Sequence, residues 1–227
     1  MVQALFGRWS RRATSAAAAR RSATLAGTIL GFGLLALATA GGAHAQTVAL
    51  LPNARPIENI GVARPVLGWV KFCERQPDEC RVDPSEPALV TLTPQVWRAI
   101  VLANRRVNAR IKPKTDKEHW GVVDSWDIPE DGYGDCEDYQ LLKRRILAEQ
   151  GLSRRAMRMT VVIDEQGEGH AVLMVRTDRG DFILDNKTNT VLSWRNTGYA
   201  YIKREGQDGG RWVSLDGGAS PVTTANR

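Results

Sequence analysis

Cys136 lies in the run Gly134-Asp135-Cys136-Glu137-Asp138-Tyr139, directly ahead of the helix-like stretch that starts at Gln140. A thiol becomes a useful nucleophile only when its pKa is lowered, and a helix N-terminus or an imidazole can do that. Further along, His170 opens one apolar run and Asp185 closes the next. A Cys, a His and an Asp on helix, strand and strand supply a nucleophile, a general base and a group to orient that base. Those are the parts of acyl transfer through a thioester. The expected chemistry is that of a cysteine peptidase, with Cys136, His170 and Asp185 as the catalytic residues.

The acidic residues around the thiol work against it. Asp135, Glu137 and Asp138 place three negative charges about the sulfur, which raises its pKa. Either they cap the helix and form salt links, or a cation neutralises them. Calcium is the natural candidate, because it is a hard ion that takes several carboxylate and carbonyl oxygens. Asp135, Glu137 and Asp138 are therefore the expected metal ligands. His119 competes with His170 as the base, and Asn186 competes with Asp185 as its orienting partner. A two-residue turn at Arg179-Gly180 would put Asp185 opposite Met174, too far along for His170. A slightly wider turn would put it across from Val172, a same-face diagonal neighbour of His170, and the wider turn is expected. The Cys136 N–H and an indole N–H of Trp126 or Trp120 are candidate oxyanion donors.

The elements that must position these groups read as α+β, helices first and an antiparallel sheet after. Thr93 caps a helix with Pro94 at its first position, and Val96, Trp97, Ile100, Val101, Ala103, Val107 and Ile111 recur at helical spacing. A polar loop over 113–134 leads to the cysteine helix. Leu141, Leu142, Ile146 and Leu147 line one face of that helix, Lys143, Arg144 and Arg145 are expected to face water, and Gly151 stops it. Strands follow over 158–163, 170–175 and 182–185, then a short pair at 191–194 and 211–213. The continuous apolar run after His170 suits a strand buried on both faces.

The 227 residues carry a formal charge of +6. Five arginines lie in the first 45 residues, with no acid among them, so the remainder is close to neutral and nothing calls for nucleic acid. An arginine-rich start, an apolar run from Leu25 to Ala40 and Ala43-His44-Ala45 read as a signal peptide cleaved after Ala45. Export to a bacterial periplasm follows, an oxidising compartment. There Cys73 and Cys80 are placed to close a short loop by a disulfide, or Cys73 is simply a small buried hydrophobe beside Phe72. Either way Cys136 is the odd thiol. The expected organisation is a signal peptide over 1–45, an extended arm over 46–66, the catalytic domain over 67–215 and a disordered tail over 216–227.

Trp69, Phe72-Cys73, Glu79-Cys80, Trp120-Gly121, Trp126, the Gly134-to-Tyr139 run, Lys143-Arg144, His170-Ala171-Val172-Leu173 and Leu184-Asp185-Asn186 together resemble the bacterial transglutaminase-like cysteine peptidases. The likeness covers most of residues 69–213. It implies a papain-like, transglutaminase-type core with Cys136, His170 and Asp185 as triad. It also implies calcium held by Asp135, Glu137 and Asp138. By the same resemblance the substrate is a surface adhesin whose release controls biofilm attachment, and an inner-membrane cyclic-di-GMP receptor is a regulatory partner. Two other functions use the same residues. An amine in place of water would make the chain a transamidase or a cell-wall amidase. A silent site would leave a calcium-responsive binding module.

Overall fold

The structure, a computed structural model, describes residues 51–215. The expected signal peptide, the first five residues of the expected arm and the expected tail over 216–227 lie outside the described residues. The architecture is α+β. Helix α1 (Leu67–Arg75) and the short α2 (Pro77–Cys80) come first, then α3 (Pro94–Arg110), the single-turn α4 (Asp116–His119) and α5 (Cys136–Glu149). Nine strands are described: β1 (Gly61–Ala63), β2 (Lys112–Pro113), β3 (Tyr133–Gly134), β4 (Met157–Ile163), β5 (Gly169–Thr177), β6 (Gly180–Leu184), β7 (Leu192–Ser193), β8 (Ala200–Glu205) and β9 (Trp212–Ser214). Seven form one antiparallel sheet in the order β1-β9-β8-β4-β5-β6-β7, and β2 and β3 form a separate parallel pair.

Alternation along the strands divides the core between the two sheet faces. Met159, Val161, Leu173, Val175, Phe182 and Leu184 pack on Trp69, Phe72, Ile100, Leu141 and Leu147 from the helices. Val162, Val172, Met174 and Ile183 pack on the other face with Ile57, Tyr201 and Leu215. Residues 51–66, expected as an arm ahead of the domain, lie along it. Leu51, Ile57 and Val66 are buried, and Gly61–Ala63 pairs with β9 at the sheet edge.

Helix α3 begins as its sequence requires, with the Thr93 hydroxyl accepting the Val96 N–H. Helix α5 departs from the expected amphipathic pattern. Lys143 and Arg144 are buried, not water-facing, because the helix is enclosed on more than one side. Leu142 and Tyr139 meet Val107 of α3 and Ile111 at its C-terminal end, while Leu141 and Leu147 meet the sheet. Arg144 keeps its charge inside through Glu205, at 3.0 and 2.8 Å from its two carboxylate oxygens. The same carboxylate accepts the Trp69 indole N–H at 2.6 Å and the Met159 N–H at 2.8 Å. Glu205 ends β8, a strand missing from the expected set because Lys203, Arg204 and Glu205 disguise it. Cys73 and Cys80 are disulfide-bonded with Cα atoms 5.5 Å apart, tying α1 to α2.

The β5–β6 register sets Asp185. Thr177 pairs with Gly180 and Leu173 with Leu184, so the next position puts Asp185 across from Val172. The turn is not the wider one expected from the sequence. It stays tight and moves one residue back, to Asp178-Arg179. Gly180 makes this workable: its φ is +109°, and any Cβ there would run into the Ala54 carbonyl, whose own residue donates N–H to Arg179 O at 2.6 Å.

Two outcomes follow. Gly180→Ala should cost about 1–3 kcal/mol of stability through backbone strain, read as a lower urea midpoint, and should weaken any function that needs Asp185 opposite Val172. Glu205→Gln leaves a buried guanidinium without a counter-charge and should cost about 3–5 kcal/mol, again by urea unfolding, with the slope m unchanged.

Candidate active site

Cys136 is the first residue of α5, behind Asp135 at the N-cap and Gly134 of β3. It is the free cysteine of the chain and is buried. Burial, then the charges of Glu137 and Asp135, push its thiol well above the ordinary cysteine range, while the Ala171 N–H directed at the sulfur works the other way. Sγ donates to Glu137 Oε2 at 3.0 Å. Burial and these carboxylates therefore favour the thiol over the thiolate. The contact with Ala171 matters, because it sets the sulfur against β5 one residue from His170.

His170 Nε2 is 2.9 Å from Asp185 Oδ1, with both side chains buried. That leaves Nδ1 free of Asp185. Asp185 Oδ1 also accepts the Lys187 N–H at 3.0 Å, and Oδ2 accepts the Tyr199 hydroxyl at 2.6 Å. Its backbone is held from α3, where Asn104 Oδ1 accepts its N–H at 3.1 Å and Asn108 Nδ2 donates to its carbonyl at 2.9 Å. Burial alone would raise this carboxyl. The hydrogen bond and charge of His170, then the Lys187 N–H and the Tyr199 hydroxyl, hold it below its ordinary value.

The alternatives sort themselves by what they touch. Asn186 Oδ1 accepts from Gln140 Nε2 at 3.3 Å, away from the imidazole. His119 Nε2 is 2.8 Å from Asp131, and its ring stacks on Trp120 with centroids 3.9 Å apart. The Trp126 indole N–H is taken by Asp124 Oδ1 at 3.0 Å. Trp126 is also fixed in place by Gly68, where an added Cβ would lie 2.5 Å from its ring. The Trp126 N–H is thus engaged within its own loop.

The acidic residues also sort by role. Carboxylate oxygens of Asp116, Asp135 and Glu137 lie within 4.8 Å of one another, all three residues buried. Asp135 Oδ1 and Glu137 Oε1 are buried with no hydrogen-bond partner. Unpaired buried carboxylate oxygens converging on one point fit a cation, and an all-oxygen set fits a hard divalent one. Asp138 is engaged by the backbone. Its Oδ1 accepts the Asp127 N–H at 2.8 Å and its Oδ2 the Asp135 N–H at 3.4 Å, so it braces the loop beside the group. Gly134 leaves room for this, since a Cβ there would sit 2.7 Å from Asp138 Oδ2. Asp116 was not singled out from the sequence. The β2–β3 pair, with Lys112 beside Tyr133 and Pro113 beside Gly134, carries it to Asp135, and its N–H donates to Asp135 Oδ2 at 3.3 Å. The only local sign of it is the Thr115/Glu118 capping box that starts α4.

Desolvation by burial, then mutual repulsion, raises these carboxyls: Asp135 to about 7, with Glu137 and Asp138 well above the ordinary range. A folded state that holds protons the unfolded chain has released loses stability as pH rises. In EGTA, the thermal midpoint should therefore fall between about pH 5 and about pH 8, and saturating calcium should flatten that slope. A midpoint in EGTA that rises across this window would contradict the buried, unpaired carboxylates.

A family model described as "bacterial transglutaminase-like cysteine proteinase" matches residues 59–220. Among solved structures the chain is similar to Legionella pneumophila LapG, at 24% identity and a TM-score of 0.45, over 54% of this chain and 71% of that one. The calcium-bound form of Legionella pneumophila LapG aligns at 23% identity and a TM-score of 0.47, over 59% and 76%. No curated protein matches the sequence.

Proposed function

Because the chain belongs to the bacterial transglutaminase-like cysteine proteinases, a family of cysteine peptidases with an α+β papain-like core, we propose that it cleaves polypeptide with Cys136 as nucleophile, His170 as base and Asp185 as the group that orients the base. The observation that carries this is the 2.9 Å His170–Asp185 bond one residue from the Ala171 N–H that faces the thiol.

In the proposed cycle the Cys136 thiol gives its proton to His170 Nδ1, the nitrogen not engaged by Asp185, and Sγ attacks the scissile carbonyl carbon. His170 returns the proton to the leaving amine as the C–N bond breaks, which leaves a thioester on Cys136. His170 then takes a proton from water, whose oxygen attacks the thioester, and protonates Sγ as the new carboxyl-terminal product departs. Asp185 keeps the imidazole in one orientation and stabilises its cationic form.

Asp116, Asp135 and Glu137 would hold calcium, which supplies positive charge to offset the carboxylates that keep the thiol protonated. Asp138 would brace this group through the backbone N–H groups of Asp127 and Asp135. The family resemblance extends the proposal to an exported, periplasmic protease whose substrate is a cell-surface adhesin and whose regulator is an inner-membrane cyclic-di-GMP receptor. It also keeps the domain limits read from the sequence, with cleavage after Ala45.

The test is to label new α-amino termini in envelope proteins incubated with the mature chain and calcium. Cys136→Ala and His170→Ala should produce none. Asp185→Asn should slow their appearance about 10²–10⁴-fold, and EGTA should stop it until calcium is restored. Isopeptide-joined products in place of new termini would identify a transamidase. Partner binding that survives Cys136→Ala, with no product from wild type, would identify a binding module.

A further inference from the structure

Tyr199 touches both members of the His170–Asp185 pair and has no part in the cycle above. Its hydroxyl donates to Asp185 Oδ2 at 2.6 Å, while His170 occupies Oδ1. Its ring meets the His170 ring edge-on, with centroids 5.8 Å apart and planes at 81°. A carboxylate with a donor on one oxygen can still swing about its own bond. With a donor on each oxygen, its plane is fixed.

The placement of Tyr199 is itself well determined. It stands one residue before β8, after Gly198 at φ +77°, and its N–H donates to Thr197 Oγ1 at 3.3 Å. The Thr197 hydroxyl also pairs with the Tyr201 hydroxyl at 3.0 Å. Tyr199 helps line a cavity of about 540 Å³, together with Glu165, Asp185, Lys187, Thr188 and Leu192. It is half-buried, and Asp185 lines the same cavity beside it. Burial, then the hydrogen bond and charge of Asp185, push its hydroxyl upward, so the tyrosine is the donor in this pair. Other groups around Asp185 are the Lys187 N–H in the same loop, Asn104 and Asn108 from α3, and the buried Lys143 of α5, whose charge acts on it without a bond.

We propose, resting on the triad assignment above, that Tyr199 is a positioning residue. Its hydroxyl locks the plane of Asp185 so that His170 presents Nδ1 to the Cys136 thiol. The step it serves is the thiol-to-imidazole proton transfer, and it forms no bond to substrate in that step.

The test is the rate at which chloroacetamide alkylates Cys136 in the mature protein with saturating calcium, followed from about pH 5 to about pH 9. This range spans the ordinary thiol pKa. Wild type, Tyr199→Phe, Asp185→Asn and His170→Ala are compared, with a thermal midpoint for each. Tyr199→Phe keeps the ring and removes only the donor. It should label about tenfold more slowly than wild type at the acid end, the scale of one charge-assisted hydrogen bond, and converge on wild type at the alkaline end with its thermal midpoint little changed. If Tyr199→Phe superimposes on wild type while Asp185→Asn loses the acid-side labelling, Tyr199 does not position the triad, although the triad stands. A uniform slowing at every pH with a lowered midpoint would make Tyr199 merely structural and overturn the proposal. If none of the variants changes the profile, the triad assignment fails and this inference with it.

Discussion

The carboxylate of Glu205 is the joint between the two layers of this fold. It takes a charge from α5 through Arg144, an indole N–H from α1 through Trp69 and a backbone N–H from β4 at Met159, while sitting at the end of β8. Four elements thus share one buried group. A buried ion pair is a weak source of net stability, but the bonds that Glu205 accepts tie the elements that donate them to one place. Trp69 adds an edge-on contact with Trp212 of β9, with centroids 5.7 Å apart, so the apolar packing and the polar joint fix the same angle. That angle decides where the first turn of α5 meets β5, and hence whether the Ala171 N–H reaches the Cys136 thiol.

With that junction fixed, the site carries opposing demands. A helix N-terminus at Cys136 favours a thiolate. Burial and the carboxylates beside it favour a thiol, and here they outweigh the N–H. The His170–Asp185 pair is satisfied on every side, with donors from Tyr199 and Lys187 and a backbone grip from two asparagines one helical turn apart on α3. One half of the site is thus preorganised and the other is held in electrostatic tension. Unpaired oxygens on Asp135 and Glu137 mark where the tension is concentrated, and a positive charge placed there would act on the thiol without moving the base.

What the sequence disclosed follows from the range of the interactions involved. The α3 cap at Thr93, the first turn of α5, the apolar strand after His170 and the register that faces Asp185 with Val172 are local or depend on one turn, and all were legible. Where reading failed, the cause was distant. Lys143 and Arg144 look like a solvated helix face until α3, the sheet and Glu205 close around them. Strand β8 carries three charged residues in a row, and only the burial of Arg204 against Asp181 and Asn59 explains how such a strand lies inside. Asp116 stands nineteen positions before Asp135 and meets it only because β2 and β3 run side by side. Asp138, by contrast, is near in sequence, and its hold on the Asp127 and Asp135 N–H groups shows only in the folded loop.

The order of elements also explains why the site is built at the end of the sheet. β5 and β6 pair tightly from Thr177–Gly180 up to Leu173–Leu184, and beyond that pair the chain leaves the ladder. Asp185 therefore retains strand-like direction while its backbone groups are free to be claimed by Asn104 and Asn108. Were it one residue earlier, its N–H and carbonyl would belong to the sheet and its side chain would point to the opposite face, since side chains alternate along a strand. Leu184, which does hold that position, is buried in the core shared with the helices. The single step from Leu184 to Asp185 thus changes a packing residue into a site residue, and the turn at Asp178-Arg179 determines which of the two faces His170.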